Sequence, residues 1–90
     1  MVIYMTRRVP DFDPAADEAA YLWARVADHI AARIEAGELG PGARLPGERD
    51  LAAEYGVSLG TARRAIEDLR DRKLVTTLPA KGTFIAVSRD

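Results

Sequence analysis

The residues whose types and spacing could do chemistry lie between Leu45 and Leu74, in the stretch LPGERDLAAEYGVSLGTARRAIEDLRDRKL. Gly60, Arg63, Arg64 and Glu67 fall at i, i+3, i+4 and i+7 and therefore share one face of a helix, polar and twice basic. Arginine is the side chain that pairs bidentately with guanine O6 and N7 in the DNA major groove, a contact worth roughly 1–3 kcal/mol of discrimination. A recognition helix meets base edges with its N-terminal part. Ser58, Gly60 and Thr61 are small residues in that part and permit close approach to phosphates and groove wall, while Arg63, one turn later, reaches deeper. Arg49 opens the preceding helix and is placed for a phosphate, helped by the N–H groups that a helix start leaves open. The bland alternative is a solvated, arginine-bearing helix in a small bundle.

Those side chains need two short helices and a tight turn to carry them. Leu51, Ala52 and Tyr55 line one face of a helix from about Glu48, and Gly56 ends it, since glycine accepts the left-handed conformation of a helix C-terminus. Val57 turns inward at the corner. Ser58 then caps a second helix by accepting the N–H of Gly60 or Thr61, and Ala62, Ala65, Ile66 and Leu69 form its inward stripe. Upstream, Asp13-Pro14 reads as a helix start, and from there to Ala36 the chain reads as one long helix whose apolar stripe is Leu22, Val26, Ile30 and Ile34, with Trp23 and Ala27 alongside. Gly37 ends that helix, Leu39 tucks back under the core, and Ala43 to Pro46 run extended. Downstream, Leu74 to Leu78 and Thr83 to Val87 are β-rich runs flanking Pro79-Ala80-Lys81-Gly82, a hairpin with a cation at its tip. Such a hairpin is a wing whose lysine can touch a phosphate or enter the minor groove. Val75, Phe84 and Ile85 are its apolar side chains, with the register open.

Ninety residues make one domain and leave no room for a separate ligand-binding domain, so no small-molecule effector site is expected within the chain. The chain has no cysteine, which excludes disulfides and thiolate metal sites; no cofactor, metal or catalytic constellation is expected, and the chain reads as no enzyme. His29, the single histidine, has no second ligand near it and reads as a surface residue. No apolar run approaches the ~20 residues of a membrane span, so a cytoplasmic protein without membrane partners is expected. The net charge of −1 is modest for a DNA-binding protein, but it is unevenly spread. Residues 1–42 carry four arginines against seven acids, a net −3, and residues 43–90 carry nine lysines and arginines against seven acids, a net +2. Weak non-specific affinity with a steep salt dependence follows. Residues 1–12 show no helical periodicity and are expected to be a flexible extension, leaving residues 13–90 as the domain.

With LPGER, GVSLGTARRA, LV and KGTF in this order, the chain resembles the winged helix-turn-helix DNA-binding domain of GntR-family bacterial transcription regulators, over about residues 21–87. The resemblance implies a mainly α fold of three helices plus a small β-hairpin, and places Arg49, Ser58, Thr61, Arg63, Lys81 and Gly82 at positions that meet DNA in the family; with Arg44, Leu59, Gly60 and Arg64 beside them, these make up the expected DNA-facing set. Several positions depart from the family pattern. Gly47 replaces a serine, Leu59 an arginine that often contacts DNA, Lys73 a glycine, and Leu78 and Ala80 the wing's usual arginine and glycine. The C-terminal effector domain usual in the family has no counterpart within these residues.

The function implied is a sequence-specific, DNA-binding transcription regulator, a repressor acting by occlusion, reading double-stranded DNA at a palindromic operator as a homodimer. Val2, Ile3, Tyr4, Tyr21, Leu22 and Trp23 are the candidate dimer contacts. Two alternatives stand beside it. One is a winged-helix protein-interaction module that has lost DNA affinity; the other is an N-terminal piece of a larger regulator, including a MocR-like fusion to an aminotransferase-like domain.

Overall fold

The computed structural model describes residues 9–16 and 20–87. In chain order it contains α1 (Leu22–Glu35), β1 (Arg44–Leu45), α2 (Glu48–Tyr55), α3 (Leu59–Asp71), β2 (Val75–Leu78) and β3 (Gly82–Ile85). The strands form one antiparallel sheet in the order β1-β3-β2. The expected hairpin is therefore two strands of three, because the extended Arg44-Leu45 pairs with Phe84 and Thr83.

Each helix of the central pair starts and stops for a local reason. Gly56 sits at φ 68°, the N–H of Val57 returns to the Ala52 carbonyl at 3.0 Å, and that of Gly56 to Ala53 at 3.3 Å, which satisfies carbonyls α2 would otherwise leave open. Val57 then packs on the core. Ser58 Oγ accepts the Thr61 N–H at 3.1 Å, so α3 begins with a capped end.

The core is the meeting of the predicted stripes. Leu51, Ala52 and Tyr55 of α2 and Ala62, Ala65, Ile66 and Leu69 of α3 are all buried, against Val26, Ala27 and Ile30 of α1. Leu45, Val75 and Ile85 close it from the sheet side, Val75 lying opposite Ile85 in the register. The same register leaves Phe84 half-exposed, opposite Thr76 on one side and Arg44 on the other. Leu39 and Ile34 pack at the margin, as the apolar pattern implies.

Two expectations need correction. The long first helix does not begin at Asp13. Asp13 Oδ1 accepts the N–H of Ala15 at 2.9 Å and its carbonyl that of Ala16 at 3.2 Å, a local turn, and α1 starts only at Leu22, after an extended Tyr21 that makes no side-chain cap. Nor is His29 a surface residue without partners. It is half-buried, with Nδ1 2.7 Å from the Tyr55 hydroxyl and Nε2 2.6 Å from the Pro10 carbonyl. Arg33 Nη1 donates to the same hydroxyl at 3.2 Å, and the Pro10 carbonyl, which can only accept, takes the His29 Nε2 proton. Burial pushes the Tyr55 phenol up from its ordinary range, which keeps it neutral.

Of the expected extension, residues 1–8 lie outside the described residues, and residues 9–12 run against the body of the domain. The Phe12 ring meets His29 edge-on at 5.5 Å and Tyr55 at 5.1 Å, and the Val9 N–H donates to Glu38. No helix among the described residues is long and apolar enough to cross a membrane.

Candidate nucleic-acid interface

The outward side of α3 carries the candidate residues in the order the periodicity requires. Gly60, Arg63, Arg64 and Glu67 are exposed, and their inward neighbours are buried. A Cβ built on Gly60 meets nothing within 4 Å, so the start of α3 is open to close approach. The Ser58 hydroxyl also donates to Thr61 Oγ1 at 3.0 Å, which orients both polar side chains at the helix start. Leu59 lies beside them, half-buried.

The arginines of α3 differ in what holds them. Arg63 Nε pairs with Glu48 Oε1 at 3.2 Å, which ties α3 to the first turn of α2. Both side chains are about half exposed (53% and 42%), so the pair is worth at most ~1 kcal/mol and its main effect is to hold the guanidinium with the two terminal nitrogens turned to other use. The Arg64 guanidinium lies 3.9 Å above the Trp23 ring of α1. Arg70 donates to Thr77 Oγ1 at 2.9 and 3.1 Å, and Thr77 Oγ1 is 3.0 Å from Thr83 Oγ1, so the last turn of α3 is stitched to both strands of the wing. Arg72 pairs with Asp28 and Asp68, at 2.6 and 2.7 Å, and belongs to the scaffold.

At the wing, Lys81 is exposed at the tip, and its N–H closes the turn onto the Leu78 carbonyl at 3.0 Å. Gly82 sits at φ 129°, and a Cβ there would lie 2.7 Å from Arg44 Nε. The Arg44 side chain thus crosses over Gly82, which explains in one contact why β1 brings a cation to the wing and why a residue without a side chain stands opposite. Arg49 is exposed and carries no ion pair among the described residues. The structure therefore brings Arg63 to Glu48, Arg64 to Trp23 and Arg44 to Gly82. Glu48, Trp23, Arg70 and Thr77 were absent from the sequence-derived set. Their only signal was that arginines on a helix face need something to hold them, and the partners lie on other elements.

Three helices, an αL-glycine corner, a capped second helix with an exposed basic face and a hairpin packed at its end define a winged helix-turn-helix. The model of the bacterial regulatory proteins of the gntR family matches residues 22–85, and the chain belongs to that family. Among its relatives is the mannosyl-D-glycerate transport/metabolism system repressor MngR of Escherichia coli, 37% identical over 68 residues that cover 76% of this chain and 28% of that protein. Another is the HTH-type transcriptional repressor NagR of Bacillus subtilis, 32% identical over 65 residues, 72% of this chain and 27% of that one. The DNA-binding domain of AraR, solved in complex with its operator ORE1, superimposes with a TM-score of 0.67 at 36% identity, covering 71% of this chain and 78% of that one. The chain spans less than a third of the length of the two repressors. Among the described residues no group of histidine, aspartate and glutamate is arranged to hold a metal ion.

Proposed function

We infer that the chain is a sequence-specific DNA-binding transcription regulator that represses by occlusion. It lays the start of α3, from Ser58 to Arg64, in the major groove and sets Lys81 and Arg44 against the backbone or the adjacent minor groove. The observation that carries this reading is the exposed α3 face, where Gly60 leaves open space and Arg63 and Arg64 stand ready-oriented, on a fold that matches a domain solved on its operator. Arg49 supplies a phosphate contact from α2. Leu59, where the family often has arginine, offers an apolar contact suited to a thymine methyl, which shifts the preferred operator away from guanine at that position.

Two copies on a palindromic site in the cytoplasm complete the reading, since one winged helix presents few base contacts. The chain does chemistry on no substrate; its relatives named above are repressors, and its candidate residues suit binding. Selection of bound fragments from genomic DNA, followed by a mobility shift across a salt series, tests the function. A recovered palindromic motif bound at least about a thousandfold tighter than random duplex is the expected result, at the low end of specificity ratios for such proteins. Equal binding to every fragment at all salt concentrations would refute sequence-specific regulation.

A further inference from the structure

We propose that Trp23 is a positioning residue for the DNA interface: its indole holds the Arg64 guanidinium flat, so that the edge N–H groups are presented to a backbone phosphate flanking the groove that α3 occupies. The inference rests on the DNA-binding reading above. Arg64 Cζ lies 3.9 Å from the centroid of the Trp23 ring, a stacking distance. Stacking engages the face of a guanidinium, whereas its N–H donors lie in the plane and point outward from the edge, so the contact with the indole consumes none of them. The neighbouring arginines each have a polar partner within the domain: Arg63 has Glu48 on its Nε, Arg70 has Thr77, and Arg72, just past the end of α3, has Asp28 and Asp68. Among the described residues no carboxylate or hydrogen-bond acceptor is recorded for Arg64.

Trp23 is itself held. It is half-buried at the first turn of α1, and its ring lies nearly parallel to that of Tyr21, at 11° and 6.1 Å. An indole anchored on α1 draws the guanidinium to the side of α3 that faces α1, toward the groove edge where phosphates run and away from the line of base edges. An arginine so fixed loses less freedom when it grips an oxyanion than one that swings free. Trp23 touches no DNA in this arrangement and acts through Arg64.

Salt dependence tests the inference, because each phosphate neutralised on duplex DNA contributes about 0.9 to the slope of log affinity against log salt. On a random-sequence duplex, Arg64→Ala should lower the slope by about that amount. Trp23→Leu removes no charge, yet should lower the slope toward the Arg64→Ala value; Trp23→Phe should restore it, and the double variant should bind no more weakly than Arg64→Ala. Trp23→Leu that folds and keeps the wild-type slope overturns the proposal, as do losses that multiply in the double variant. A second reading needs no change at position 23. Trp23 is the only tryptophan, so its emission reports the stack: saturating duplex should shift it in the wild type and not in Arg64→Ala. An equal shift in both overturns the proposal. A wild-type chain that binds no duplex overturns the DNA-binding reading and this one with it, whereas a wild type that binds while Trp23→Leu matches it overturns this one alone.

Discussion

Lys73 holds a φ of 64°, a left-handed conformation that costs a residue with a Cβ roughly 1–2 kcal/mol. The reason it does so is visible in how the helices end. The N–H groups of Gly37 and Glu38 return to Ile34 and Arg33, those of Gly56 and Val57 to Ala53 and Ala52, and those of Lys73 and Leu74 to Arg70 and Leu69. All three helices thus close with the same pair of bonds about a left-handed residue, glycine twice and lysine once. Lys73→Gly should relieve the strain. Glycine returns roughly 0.4–1 kcal/mol of that through the greater freedom of the unfolded chain, leaving a net gain of about 0.5 kcal/mol. A urea midpoint that rises with unchanged slope is the expected outcome, and a lower midpoint would refute it. Gly47 offers a second test. It caps α2 in an extended conformation with no side-chain hydrogen bond, and a Cβ there meets nothing within 4 Å. Gly47→Ser is expected to stabilise by a few tenths to about 1 kcal/mol by accepting an open N–H of the first turn; an unchanged melting midpoint would count against a cap at this position.

At the scale of elements, α3 and the wing should divide the labour of binding. Arg63 points from the outward face of α3 and is steadied by Glu48, whereas Lys81 is a flexible point charge at a turn. Arg63→Ala is therefore expected to weaken operator binding by about 1–3 kcal/mol more than binding to random duplex, and Lys81→Ala to weaken both alike. Competition titrations on the two duplexes separate these outcomes; equal losses from Arg63→Ala on both would mean that Arg63 holds backbone rather than reads bases. The pair α2 and α3 was legible in the sequence because every signal that builds it is local: Gly56 at the corner, the Ser58 cap, the stripe from Ala62 to Leu69. The beginning of α1 was not, since Asp13-Pro14 initiates a turn as readily as a helix and the helix-forming residues that follow do not distinguish the two. The extended run from Ala43 to Pro46 was legible from its proline, but its pairing as the strand β1 was not: two residues carry no period, and their partner β3 is decided across the fold. The candidate arginines could be named from their types, but what holds each one could not. Glu48 and Trp23 reach Arg63 and Arg64 from two other elements, and contacts at that separation leave no spacing to read.

The domain measures 41 × 33 × 21 Å, so two copies whose α3 helices lie one DNA turn apart, ~34–36 Å, would stand near enough to touch. Of the residues proposed from the sequence as dimer contacts, Val2, Ile3 and Tyr4 lie outside the described residues, Leu22 is half-buried and Trp23 is occupied by Arg64. Tyr21 remains, 75% exposed, and is the best placed of the described candidates to meet a second copy. Contact between copies converts the second half-site into an intramolecular event, so a full palindrome should be bound at least about a hundredfold more tightly than a half-site, the low end of the ~10²–10⁴ range that such linkage can reach. The N-terminal contribution is tested by removing residues 1–8. A cut at 12 would also delete Phe12, which packs against His29 and Tyr55, and would confound assembly with stability. The shortened chain is expected to bind a half-site as the full chain does and to lose part of the advantage of the palindrome, with light scattering at limiting protein showing fewer palindromes that carry two copies. A full-length chain that stays monomeric at high concentration and binds half-site and palindrome equally would eliminate the dimer.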